Sequence, residues 1–102
     1  MKLEHGSATV LKESVKKIIG KYLSLDEYEV FFFGSRVRMD NFPRSDIDIG
    51  ILGPGKVPVD LKLKIQEELD KLPLLYKIEI VDFYQVTDKF KNLALQSREL
   101  IN

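Results

Sequence analysis

The sequence predicts an α/β (α+β) chain, a three- to four-stranded mixed sheet with helices packed on one face. Three observations carry this prediction. Short apolar runs rich in aromatic and β-branched residues stand at 28–33, 46–52 and 77–83, each bounded by turn residues. Longer stretches at 8–23, 59–72 and 87–101 repeat apolar residues at helical spacing. A helix separates the second run from the third, and a crossover of that length makes those two strands parallel with a right-handed connection.

In the first helix, Leu11, Val15, Ile18, Ile19 and Tyr22 share one face, while Lys12, Lys16, Lys17 and Lys21 occupy the rest. Ser7 or Thr9 suits its N-cap. The lysines read as a solvated face, with a patch for an acidic partner as the alternative. Residues 1–7 form a polar leader, expected to be flexible, and His5 within it is given no catalytic role.

The first strand ends in Gly34-Ser35, and a short helix is expected over 35–40. A turn marked by Asp40, Asn41, Pro43 and Ser45 leads to the second strand, which opens on Asp46-Ile47-Asp48. Residues i and i+2 of a strand share a face, so Asp46 and Asp48 project together and Ile47, Ile49 and Ile51 project the other way. Two carboxylates about 7 Å apart along the backbone can converge on one hard cation. Mg²⁺ commonly takes one or two protein carboxylates and completes its shell with water and substrate phosphates. A glycine after a strand lets the backbone approach a phosphate, and N–H groups at the start of a following helix favour anions. Ser35 adds a hydroxyl donor. Arg36 and Arg38 carry forks suited to phosphate, and Arg44 offsets the acids that follow it. A phosphate cradle beside paired aspartates is what a nucleoside triphosphate requires.

Gly53-Pro54-Gly55 breaks the second strand, and Pro58 precedes a helix whose buried stripe is Leu61, Ile65, Leu69 and Leu72. The two glycines are not a phosphate loop of the Walker type, because no Lys-Ser/Thr pair follows. In the third strand Ile78 and Ile80 take one face, and Glu79, Val81 and Phe83 the other. If the isoleucines of both strands pack on the helices, Glu79 joins Asp46 and Asp48 on the open face as a third carboxylate. Asp82 falls on the opposite face. The last helix starts at Thr87 or Asp88, with Thr87 as a suitable N-cap. Its stripe of Phe90, Leu93, Ala94, Leu100 and Ile101 serves the core or an oligomer contact.

The 102 residues fit a single domain over 1–102. With 16 basic and 16 acidic residues the formal charge is zero, so bulk electrostatics drive the chain toward neither nucleic acid nor membrane. The absence of cysteine excludes disulfides and thiolate zinc sites and fits a cytoplasmic setting. No apolar stretch approaches transmembrane length, and the N-terminus lacks the apolar core of a signal peptide.

The joint pattern of Gly34-Ser35 followed by Asp46-Ile47-Asp48 between apolar residues resembles the signature of the DNA polymerase beta-like nucleotidyltransferase superfamily. At this length the chain looks like its smallest branch, the minimal nucleotidyltransferase (MNT) family. Ser35-Arg36-Val37-Arg38, Arg44-Ser45-Asp46-Ile47-Asp48 and the strand from Lys77 to Phe83 carry the likeness, which runs from about residue 10 to 101.

The resemblance implies a polymerase beta palm-like fold and Mg²⁺-dependent transfer of a nucleoside monophosphate to an acceptor hydroxyl, with AMP from ATP as the first expectation and another NTP as the alternative. In that scheme Asp46, Asp48 and Glu79 are the catalytic and metal-binding acids for one or two Mg²⁺, and Gly34, Ser35, Arg36 and Arg38 bind the nucleotide. The family usually places Asp where this sequence has Glu79, one methylene longer. The family also implies a partner, a HEPN-domain toxin that receives AMP on a tyrosine, which would make this chain an antitoxin. The alternative is a catalytically weak or inactive nucleotide- or partner-binding module of the same fold. A structural homodimer with an incidental acid cluster is the remaining reading.

Overall fold

The computed structural model describes residues 8–34, 47–73 and 77–102. Period-two alternation sets the architecture. Strands β1 (Glu29–Phe33), β2 (Ile47–Leu52), β3 (Ile78–Asp82) and β4 (Glu99–Leu100) form, among the described residues, one mixed sheet in the order β3-β2-β1-β4. β2 and β3 are parallel, as the crossover length requires, and β1 is antiparallel to both β2 and β4. Three helices complete the described chain: α1 (Ala8–Gly20), α2 (Val59–Asp70) and α3 (Asp88–Leu95).

Register divides the side chains between two faces. Ile47, Ile49 and Ile51 lie beside Ile78 and Ile80 on one side and Val30 and Phe32 on the other. This face packs on Leu11, Val15, Ile18 and Ile19 of α1 and on Ile65 and Leu69 of α2, forming the main core. The predicted stripes of both helices thus face the core, with Tyr22, Leu61 and Leu72 only partly buried at its margin. α1 ends at Gly20, three residues before the expected end at 23. A turn replaces its last residues, with Leu23 N–H still donating to the Ile19 carbonyl at 2.9 Å. α2 follows Pro58, whose missing N–H costs nothing at a helix start.

Two expectations need correction. The expectation of helices on one face holds for α1 and α2, but α3 packs on the other. There Phe31, Phe33 and Phe83 form a second cluster covered by Ala94 and Leu95. The reason lies in the alternation itself, because Phe31, Phe33, Val81 and Phe83 are too apolar to stand uncovered. The last helix also stops at Leu95 rather than running to 101. Glu99 and Leu100 form β4 along the outer edge of β1, and Ile101 N–H donates to the Val30 carbonyl at 2.8 Å. An unpaired edge beside a central strand is better filled by backbone partners than by a further helical turn. Leu100 is exposed and Ile101 buried, an alternation that belongs to a strand. Thr87 caps α3 as expected, its hydroxyl accepting from Phe90 N–H at 3.2 Å.

Side chains finish the sheet margins. Gln66 of α2 donates to the Ile78 carbonyl at 2.7 Å and accepts from Ile80 N–H at 3.3 Å. Its amide thereby supplies what a neighbouring strand would supply to β3. Asn102 does the same beside β1, accepting from Val30 N–H at 2.9 Å and donating to the Leu25 and Tyr28 carbonyls. Asp82 is the buried charged side chain among the described residues, at 4% exposure. One of its oxygens accepts from Val57 N–H at 2.9 Å and the other from Tyr84 N–H at 3.0 Å. It sits on the helix face, as alternation requires, and ties the loop entering α2 to the end of β3.

Candidate active site

The end of β1 and the beginnings of β2 and β3 meet at one margin of the sheet. Cross-strand pairing places Phe33 opposite Asp48, and Asp48 in register with Glu79. These three residues form one row on the face that α3 partly covers. Adjacent strands are about 4.8 Å apart, so the two carboxylates are neighbours on a single surface. The row ends at Gly34, which has φ of 86°. A Cβ there would lie 2.5 Å from Oδ2 of Asp48. The glycine is required twice, by its left-handed backbone and by the carboxylate packed against it.

Glu79 is half-exposed and forms an ion pair with Lys77 at 3.2 Å. The lysine brings a positive charge to the margin that holds both acids. It also lies at the mouth of β3, where its carbonyl accepts from Ile47 N–H at 2.8 Å.

Of the residues singled out by sequence, Gly34, Asp48 and Glu79 are brought together on one margin. Ser35, Arg36, Arg38, Arg44, Asp46 and the expected 35–40 helix lie outside the described residues, as does His5. Among the described residues no group of three His, Cys, Asp or Glu side chains could hold a metal. The donors present nevertheless fit a hard divalent cation. They are carboxylates, they are only partly buried, and they leave room for water and phosphate oxygens.

Sequence reasoning missed the apolar half of the site. A groove of about 450 Å³ opens between the sheet and α3. Phe33, Asp48 and Val81 contribute from the sheet side; Phe90, Leu93 and Ala94 contribute from α3, with Gly34 and Ser97 completing the lining. The signal was present in β3. Val81 and Phe83 share the face of Glu79, so the acids had to border an apolar strip, and the Phe90 stripe was available to cover it.

Residues 13–102 match the family model described as polymerase beta, nucleotidyltransferase. The chain belongs to this nucleotidyltransferase family. Its fold recurs in solved toxin–antitoxin structures. One, with AMP-PNP, has a TM-score of 0.72 and 15% identity over 89% of this chain and 72% of the other. A mutant of the MntA-HpeT toxin–antitoxin gives 0.71 and 13%, over 89% and 71%. The tri-AMPylated HEPN toxin of Shewanella oneidensis in complex with MNT antitoxin gives 0.63 and 16%, over 92% and 71%. At these identities the likeness is one of fold, the mixed four-stranded sheet with its three helices. A search of curated proteins found no match. Among the described residues of this nucleotidyltransferase-family chain, no helix is long and apolar enough to cross a membrane.

Proposed function

We propose that this chain transfers AMP from ATP to a hydroxyl on a HEPN-domain partner, acting as the antitoxin of a toxin–antitoxin pair. The observation that carries the reading is the row of Gly34, Asp48 and Glu79, with the two acids in register on one face and the left-handed glycine pressed against Asp48. Family membership supports the reaction class. The AMP-PNP of one fold relative and the AMPylated toxin of another support the nucleotide and the acceptor.

In this reading an acceptor oxygen attacks the α-phosphorus. The new O–P bond forms as the bond from Pα to the bridging oxygen of the β-phosphate breaks, and pyrophosphate leaves with that electron pair. Glu79 takes the acceptor proton. Asp46 and Asp48 hold Mg²⁺, which supplies charge neutralisation at the phosphates. Gly34 and Ser35 hold the β- and γ-phosphates, with Arg36 and Arg38 adding charge. The chain's own contribution is positioning and fixed electrostatics more than covalent chemistry.

The test is incubation of the chain with a HEPN-domain protein, Mg²⁺ and α-labelled ATP, followed by intact mass of both proteins. A gain of AMP units on the partner, lost with Asp48→Asn, is expected. No gain while ATP still binds would favour the second reading, a nucleotide- or partner-binding module. One observation favours that alternative: Glu79, in place of the usual Asp, is already paired with Lys77.

A further inference from the structure

We propose that the groove between the sheet and α3 is the nucleobase subsite, with Phe90 as the aromatic surface on which the base stacks. The inference rests on the nucleotidyl-transfer reading and adds where the nucleoside lies.

Three directions leave the α-phosphorus in such a reaction. The attacking and leaving oxygens lie roughly on one line, and the nucleoside departs to the side of it. The row from Gly34 through Asp48 to Glu79 runs across the strands. With the pyrophosphate toward Gly34 and the acceptor toward Glu79, both in-line positions are taken. The remaining path along that face follows the strands away from the margin, to Val81 and α3. The groove opens there, and Asp48 and Gly34 belong to its lining. Its volume of about 450 Å³ falls within the range of small-molecule sites.

The walls suit a base. Phe90 makes ring contacts with Phe33 at 6.0 Å and 87°, and with Phe83 at 5.8 Å and 44°. Those two rings hold each other edge-on at 5.0 Å. Phe90 is therefore oriented by fixed neighbours, yet 43% of it stays exposed at the groove. α3 has no buried residue of its own, so Phe90 covers the phenylalanine cluster without being enclosed by it. An oriented, half-open ring beside a phosphate site is a stacking platform, and stacking tolerates any base because every base has a π-face.

The test compares binding of ATP and of inorganic tripolyphosphate, both in Mg²⁺, by calorimetry on the full chain. Phe90→Ala is expected to weaken ATP about tenfold and leave tripolyphosphate unchanged, with Phe90→Trp restoring ATP affinity. Ala94→Leu narrows the groove without removing the Phe90 ring and should likewise weaken ATP alone. Unchanged ATP affinity in both Phe90→Ala and Ala94→Leu overturns the proposal. So does a raised KM for the protein acceptor at unchanged ATP affinity, which would assign the groove to the acceptor. Failure of the wild-type chain to bind either ligand would instead overturn the transfer reading beneath it.

Discussion

Gly34 and Asp48 occupy each other's space: the position of a Cβ on residue 34 lies 2.5 Å from the carboxylate oxygen Oδ2 of Asp48. With φ at 86°, the glycine also adopts a backbone that other residues adopt only at a cost of about 1–2 kcal/mol. Gly34→Ala should therefore destabilise the chain by at least that amount and push the Asp48 carboxylate from its place. Urea denaturation and Mg²⁺-dependent ATP binding would show both effects together. Gly55→Ala is the control, since nothing lies within 4 Å of a Cβ at that glycine. Equal behaviour of the two variants would remove Gly34 from the site.

Asp48 and Glu79 share a face but differ in expected roles, and the difference is measurable. Asp48→Asn keeps the shape and removes the charge, so Mg²⁺-dependent ATP binding should be lost while the melting temperature changes little. Glu79→Ala should leave ATP affinity near that of the wild type and slow transfer by about 10²–10⁴-fold, the range of general-base contributions. Wild-type transfer in Glu79→Ala would return this residue to an ordinary surface acid paired with Lys77.

How far the sequence led can be judged from these residues. The Asp48–Glu79 neighbourhood was legible because it needs only two facts, alternation within each strand and a parallel crossover between them. Asp82 was placed on the right face by the same argument, but its bonds to Val57 and Tyr84 were not, since these depend on where a loop returns. The C-terminal strand was missed for a similar reason. Residues 93–101 hold apolar positions compatible with a helix, and only the open edge of β1 makes Glu99 and Leu100 extended. The groove was missed because the sheet face bearing the acids was taken as uncovered, whereas Phe31, Phe33 and Phe83 draw α3 over part of it.

Asp82 is a structural acid, and its removal should affect stability rather than catalysis. One of its oxygens accepts from the buried Val57 N–H and the other from the partly buried Tyr84 N–H. Bonds to a charged acceptor contribute about 1.5–3 kcal/mol each. Asp82→Ala should therefore lower the unfolding free energy by about 3 kcal/mol or more by urea titration. The protein that remains folded should bind nucleotide as the wild type does. A loss under 1 kcal/mol (about the net value of one ordinary hydrogen bond) would mean that water replaces the carboxylate.

Gln66 closes the outer edge of β3 with a single amide, so its loss should appear in association as well as stability. Gln66→Leu keeps the bulk and leaves the Ile78 carbonyl and Ile80 N–H without this partner. A cost of about 1–2 kcal/mol is expected, together with concentration-dependent light scattering from newly exposed edges. Scattering like that of the wild type would show that the rest of α2 already shields β3.

The contact between α1 and α2 carries a pH signature. Glu68 accepts from the ammonium of Lys21 and the hydroxyl of Tyr22. The Lys21 bond, followed by the Tyr22 bond, holds its carboxyl below the ordinary 4.5. A carboxylate whose folded pKa is depressed contributes stability above its unfolded pKa and loses that contribution as pH falls through the folded one. Glu68→Gln should therefore melt slightly below the wild type at pH 7. The gap should close below pH 4.5, as the wild-type carboxyl takes up its proton. Because the pair is exposed, the difference should be small and should shrink with added salt. A gap that persists unchanged at low pH would mean that packing between the helices, and not the charge on Glu68, makes the contact.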